Sequence, residues 1–211
     1  MLTQGYEQAE DVGPLSLCWG LAREVVDFLA RRLGYAAARR RMKGIRRDPV
    51  PLTSALRRAK RVLIVCHGNI IRSPFAARLL QRELGAAGTV SVASAGLGAI
   101  PGRSAHATAL DIAHTLRVDL TGHSARRLAP DVVAESDVIF VMDIPQVVQL
   151  RQRFPEAGAR TFLLTCLAPW TPLEVGDPID GDPSVFEACF NHISTAADPI
   201  VSVLSESTTC L

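Results

Sequence analysis

The chain has 211 residues, 48% of them hydrophobic, and a formal net charge of +2. That composition suits a single well-filled core and excludes a disordered chain, and so small a net charge points to no nucleic-acid partner. Five cysteines, odd in number, widely spaced and without a Cys-x-x-Cys, argue against a disulfide framework or a zinc site and fit a reduced, cytoplasmic compartment.

Residues 1–11 read as a polar start with no early basic cluster, so no signal peptide is expected. Apolar residues then recur at steps of three and four (Leu15, Cys18, Trp19, Ala22, Val25, Val26, Leu29, Leu33), which predicts a helix from Leu15 to Arg41. Arg23, Glu24 and Asp27 interrupt it, so it does not read as a membrane span. The run "RRRMKGIRRDPVP", with Gly44, Pro49 and Pro51, reads as a linker. Residues 1–60 are therefore expected to be a basic, amphipathic helical arm and linker, and residues 61–211 a separate folded domain. Charge follows the same division. Through Arg61 there are 13 Lys/Arg against 6 Asp/Glu, and beyond it 10 against 15. The apolar stripe of residues 15–47 must be covered by the body, by a second copy, or by an anionic membrane surface.

From residue 61 the chain alternates. "RVLIV" is a strand, Pro74 to Leu84 a helix stopped by Gly85, and "TVSVASAG" a second strand. Ala105 to Leu116 is a helix, "DVIFVM" a third strand, and Pro145 to Arg153 a helix. "RTFLL" is a fourth strand, and Ser184 to about Leu204 the last helix. Alternating strands and helices predict an α/β fold: a four-stranded parallel sheet between two helical layers, with right-handed crossovers. Ligands in such sheets bind beyond the carboxyl ends of strands.

The first strand runs into "CHGNIIRSP". Gly68 and Asn69 tolerate backbone angles other residues avoid, so the loop from Cys66 to Arg72 can turn its amides inward. A helix opening near Ser73 adds its positive dipole end. The residues His67, Gly68, Asn69, Ile70, Ile71, Arg72 and Ser73 would then cradle a tetrahedral dianion, with the planar fork of Arg72 on two of its oxygens. That field favours a thiolate at Cys66. Nucleophile and anion site in one loop imply phosphoryl transfer through a phosphocysteine. The alternative is an inert core cysteine beside a solvated arginine, which the preceding strand, the Gly-Asn and the Ser-Pro helix start disfavour.

The leaving alcohol needs a general acid. Asp177, Asp180 and Asp182 lie in "EVGDPIDGDPSVF". Asp182, before Pro183, fits a helix cap; Asp177 is too early to cap and is favoured as the acid.

The segments "VCHGNIIRSPFAA", "SAGLGAIPG", "GHSARRL", "SDVIFVMD" and a "DP" before a Phe-bearing helix, in that order, resemble the low-molecular-weight protein tyrosine phosphatases over roughly residues 61–205. "SAGLGAIPG" looks most like the bacterial branch that works beside tyrosine autokinases in exopolysaccharide export. The resemblance implies a four-stranded parallel sheet, no metal and no cofactor, and a phosphotyrosine protein as substrate. It casts Cys66 as nucleophile, Arg72 as phosphate ligand and Asp177 as acid. Asn69, Ser73 and Ser94 match residues that hold the loop, supported by His123. Three features depart from the pattern: Ile71 where a second cysteine is common, Ile179 where an aromatic usually follows the Asp-Pro, and the 60-residue arm. An arsenate reductase on the same fold, or a phosphate-binding module without turnover, are the alternatives.

Overall fold

A computed structural model describes residues 14–85 and 90–206, with backbone alone for residues 14–28 and 31. Four strands, β1 (Arg61–Cys66), β2 (Ser91–Gly96), β3 (Val138–Val141) and β4 (Thr161–Leu163), form one parallel sheet in the order β2-β1-β3-β4. β1 and β3 are central and almost wholly buried, which is why they read as unbroken apolar runs. The chain steps outward twice from the centre, β1 to β2 and β3 to β4. Right-handed crossovers in opposite directions put the connecting helices, α3 (Arg72–Leu84) and α6 (Ile144–Arg153), on opposite faces. On α3 pack α7 (Pro183–Glu206) and, through α7, α2 (Val50–Arg58) and α4 (Ala107–Thr115). Phe75 of α3 and Phe190 of α7 stack with centroids 3.8 Å apart. α6 covers the other face, and α1 (Pro14–Arg47) lies against it. A short helix, α5 (Pro130–Glu135), precedes β3.

The expected strands and helices of residues 61–206 are present, within a few residues at their ends. Residues 42–60 differ from the expected linker. α1 continues through Gly44 to Arg47, and α2 begins at Val50. Pro51 falls in the first turn of α2, where no intrahelical N–H is lost, so it starts a helix rather than preventing one. Ala38, Met42 and Ile45 of α1 and Leu52 and Leu56 of α2 join the main core. Their burial outweighs the roughly 1 kcal/mol that Gly44 costs inside a helix. Two residues of the basic run turn inward. Arg41 donates to the carbonyls of Thr161 (2.8 Å) and Ala159 (3.0 Å), and Arg46 to those of Ala168 and Thr171. Leu29 and Leu33 stay 51% and 71% exposed, so the end of the stripe has no cover within the chain's described residues. The stripe positions Leu15 to Val26 lie outside the described side chains. Among the described residues no helix is long and apolar enough to cross a membrane.

Candidate active site

β1 delivers Cys66 to the carboxyl edge of the sheet, opposite Gly96 of β2. The chain then loops through residues 67–71 into α3. Asn69 takes a left-handed φ of +53°, which its short polar side chain tolerates, and that side chain fixes the loop. Its Nδ2 donates to Ser73 Oγ and to Ser94 Oγ, each at 2.9 Å, and its Oδ1 accepts from Arg126 N at 2.8 Å. His123 Nε2 donates to the Asn69 carbonyl at 2.7 Å. The four residues expected to hold the loop, Asn69, Ser73, Ser94 and His123, therefore meet in one network.

Cys66 Sγ sits 3.0 Å from Ser73 Oγ and accepts from Asn69 N at 3.2 Å. Among the described residues the amides of Gly68, Ile70, Ile71 and Arg72 find no acceptor in the protein. They border the same cavity as Cys66, at the N-terminus of α3, as an anion cradle requires.

Arg72 is 3% exposed, so its charge must be matched. Its guanidinium reaches Asp143 Oδ2 (3.1 Å), the Val175 carbonyl (3.2 Å) and Asp177 Oδ2. Asp177 is part-exposed and lines the cavity. Asp143 lies behind. It caps α6 by accepting from Gln146 N at 2.9 Å and takes a second bond from Gln146 Nε2. Burial pushes the Asp143 carboxyl up, against the pull of the Gln146 amide and Arg72. Asp143 had no role in the sequence reading. Its signal was available: an Asp directly after a buried strand and two residues before Pro145, at the end of the sheet where ligands bind.

Asp182 accepts from the amides of Ser184 and Val185 and caps α7, and these bonds with the Ser184 hydroxyl hold its carboxyl below the ordinary value. Asp180 does not line the cavity.

The cavity is about 250 Å³. Cys66, His67, Gly68, Ile70, Ile71 and Arg72 line it, with Ile100 and Arg103 following β2 on one side of β1 and Asp177 and Ile179 following β4 on the other. The His67 ring lies against Gly98, where a Cβ would come within 2.9 Å of it. Cys189, in α7, donates to the Gly176 carbonyl, and burial pushes its thiol up to about 12; burial likewise pushes Cys166 up to about 11. Among the described residues no cluster of His, Cys, Asp and Glu could hold a metal. Tyr35 of the arm donates to Glu174 Oε1 (3.4 Å), while Glu174 Oε2 accepts from Ile144 N, beside Asp143.

Comparison with known proteins agrees with this fold. The family model described as "Low molecular weight phosphotyrosine protein phosphatase" matches residues 61–209. The chain is 32% identical over 145 residues to low molecular weight protein-tyrosine-phosphatase Etp of Escherichia coli K12, covering 68% of this chain and 94% of Etp. It is 34% identical over 140 residues to the phosphatase Wzb of the same organism, covering 64% and 89%. The crystal structure of the tyrosine phosphatase AmsI of Erwinia amylovora superposes with a TM-score of 0.65 at 34% identity, over 70% of this chain and 94% of that one.

Proposed function

The chain belongs to the low molecular weight phosphotyrosine protein phosphatase family, and from that premise we propose that Cys66, Arg72 and Asp177 carry out its phosphotyrosine hydrolysis. The observation that carries this reading is the convergence of Cys66 Sγ, the free amides of the loop and the Arg72 guanidinium on one cavity. The phosphate of the substrate lies in the loop, its oxygens on the amides and on the Arg72 fork. Arg72 then exchanges its contact with Asp177 for phosphate and keeps Asp143 and the Val175 carbonyl as its anchor. Asp177 is left at the cavity wall, facing the tyrosyl oxygen.

In the first step Cys66 Sγ attacks phosphorus. The P–O bond to tyrosine breaks as Asp177 gives its proton to the leaving oxygen. In the second, water attacks the phosphocysteine and loses its proton to the Asp177 carboxylate. The P–S bond breaks, and the returning thiolate is received by Asn69 N–H and Ser73. His67, Gly68, Ile70 and Ile71 line the phosphate loop, while Ser94 and His123 keep it in shape. No residue of this set calls for a metal or cofactor.

Arsenate reduction on this fold would need a second thiol able to attack oxidised Cys66. Cys166 and Cys189 are buried, with thiols pushed up to about 11 and 12, and suit that role poorly. A pure binding module would have no use for a proton donor at the cavity wall.

The substrate is a phosphotyrosine protein, and the likeness of "SAGLGAIPG" to the exopolysaccharide branch favours a bacterial tyrosine autokinase. A reactive thiol at Cys66 favours a reducing, cytoplasmic location. The exposed Leu29 and Leu33, with outward Arg39, Arg40, Lys43 and Arg47, favour contact of residues 15–47 with a second copy or an anionic membrane. The test is phosphate release from a phosphotyrosine peptide by the wild type beside Cys66→Ser. Turnover lost with phosphate binding kept supports the mechanism. A Cys66→Ser variant that keeps more than about a hundredth of the rate overturns it.

A further inference from the structure

The two walls of the cavity carry opposite charge. One is the loop 174–182, with Glu174, Asp177, Asp180 and Asp182. The other is the loop 97–103, and among the described residues the charged side chains in it or hydrogen-bonded to its carbonyls are all positive. Arg103 stands at the cavity itself. Arg127 Nε donates to the Ala99 carbonyl at 3.1 Å, and Arg153 to that of Leu97 at 3.2 Å. All three are exposed, and among the described residues none is in an ion pair.

Arg103 is also held firmly. "IPGR" forms a turn in which Arg103 N donates to the Ile100 carbonyl at 3.3 Å, with Gly102 at φ +83°. Gly102 N donates to the Ala125 carbonyl (2.9 Å) and Ala125 N to the Arg103 carbonyl (2.8 Å), pinning the turn to the neighbouring loop. A charge on a fixed backbone, without an ion-pair partner among the described residues, lines the same cavity as Arg72, whose charge is already matched by Asp143 and Asp177.

We propose that Arg103, backed by Arg127 and Arg153, is a specificity-determining residue that selects phosphotyrosine segments bearing an acidic side chain next to the phosphotyrosine. The segment lies across the cavity with that side chain over the loop 97–103, away from the acidic wall. This rests on the phosphatase reading above and adds the sequence context of its substrate. Arg103 reads the flank and leaves the phosphate to Arg72 and the loop amides.

The test compares kcat/KM for three phosphotyrosine peptides, with acidic, neutral or basic flanks. It uses the full chain and its Arg103→Ala, Arg103→Lys and Arg103→Glu variants, and measures binding of the same peptides to Cys66→Ser. The wild type favours the acidic over the neutral peptide by about fivefold at low salt, the scale of an exposed ion pair. The preference fades at 1 M salt, where screening acts within about 3 Å. Arg103→Lys keeps it, Arg103→Ala abolishes it, and Arg103→Glu turns it toward the basic peptide. Equal rates on all three peptides, or a preference that survives in Arg103→Ala, overturn the proposal. So does an Arg103→Ala that slows all three alike, which would make Arg103 a phosphate ligand. If no peptide is turned over, the phosphatase reading falls, and peptide binding to Cys66→Ser then decides the selection by itself.

Discussion

Gly96 ties the sheet to the phosphate loop, and a single methyl group there should disable catalysis. A Cβ at Gly96 would lie 2.6 Å from the His67 carbonyl oxygen, 2.9 Å from Asn69 N and 2.9 Å from Ala99 Cβ. Ordinary contact begins at 3.4 Å, and two of these neighbours are backbone of the loop itself. β2 has little freedom to retreat, because Gly96 donates to the Arg126 carbonyl at 2.9 Å and accepts from Leu128 N at 2.8 Å. The loop must yield by about 0.8 Å, and a misplacement of about 1 Å at reacting groups can cost on the order of 10²-fold. Gly96→Ala should lower kcat/KM for p-nitrophenyl phosphate by roughly that factor and weaken vanadate binding with it. Overpacking of this kind costs about 1–3 kcal/mol, so the fold should survive with a lowered thermal midpoint, to be checked by circular dichroism. Gly44→Ala, where a Cβ meets nothing within 4 Å, is the control, and should raise stability by about 1 kcal/mol. A Gly96→Ala enzyme with kcat/KM within about threefold of wild type would refute the claim that loop geometry sets the rate.

Asp177→Asn should slow hydrolysis of a phosphotyrosine peptide by roughly two to four orders of magnitude, and of a substrate with a very good leaving group by less; the same pattern from Asp180→Asn instead would reassign the acid. Among Cys66, Cys166 and Cys189, iodoacetate at neutral pH should label Cys66 alone, with phosphate protecting it, since burial keeps the other two thiols protonated well above that pH; mass spectrometry of the digest reads this. Peroxide inactivation should be poorly reversed by dithiothreitol, because Ile71 cannot resolve an oxidised Cys66 and the thiol proceeds to sulfinic acid; full recovery would assign a resolving role to another cysteine. A chain beginning at Arg61 should lose stability or aggregate, and Met42→Ala alone should cost about 2–5 kcal/mol in urea unfolding, because α1 and α2 contribute to the main core; a truncated form as stable as the full chain would show the arm to be an appendage.

The sheet was readable because β1 and β3 are buried on both faces and so appear as uninterrupted apolar runs. The loop that carries the candidate site was readable because its residues are local: Cys66, Gly68, Asn69, Arg72 and Ser73 lie within eight residues. Contacts across long sequence separation were not. Asp143 anchors Arg72 from 71 residues away, and Arg46 reaches carbonyls more than 120 residues away, yet neither leaves a periodic trace. The prolines and glycine of residues 44–51 misled for a different reason. A proline in the first turn of a helix and a glycine in a packed one are tolerated by tertiary context, which local propensity does not contain.

The central claim is that the phosphoryl group passes through Cys66. Acid quenching of Asp177→Asn during turnover of a phosphate ester with a very good leaving group, followed by peptide mapping, tests it most directly, because formation of the intermediate then needs no acid while its breakdown has lost the base, so the intermediate accumulates. The account predicts a phosphoryl group on the peptide containing Cys66, absent in the Asp177→Asn, Cys66→Ser double variant. Phosphate release with no such label, undiminished when Cys66 is replaced by serine, would contradict it.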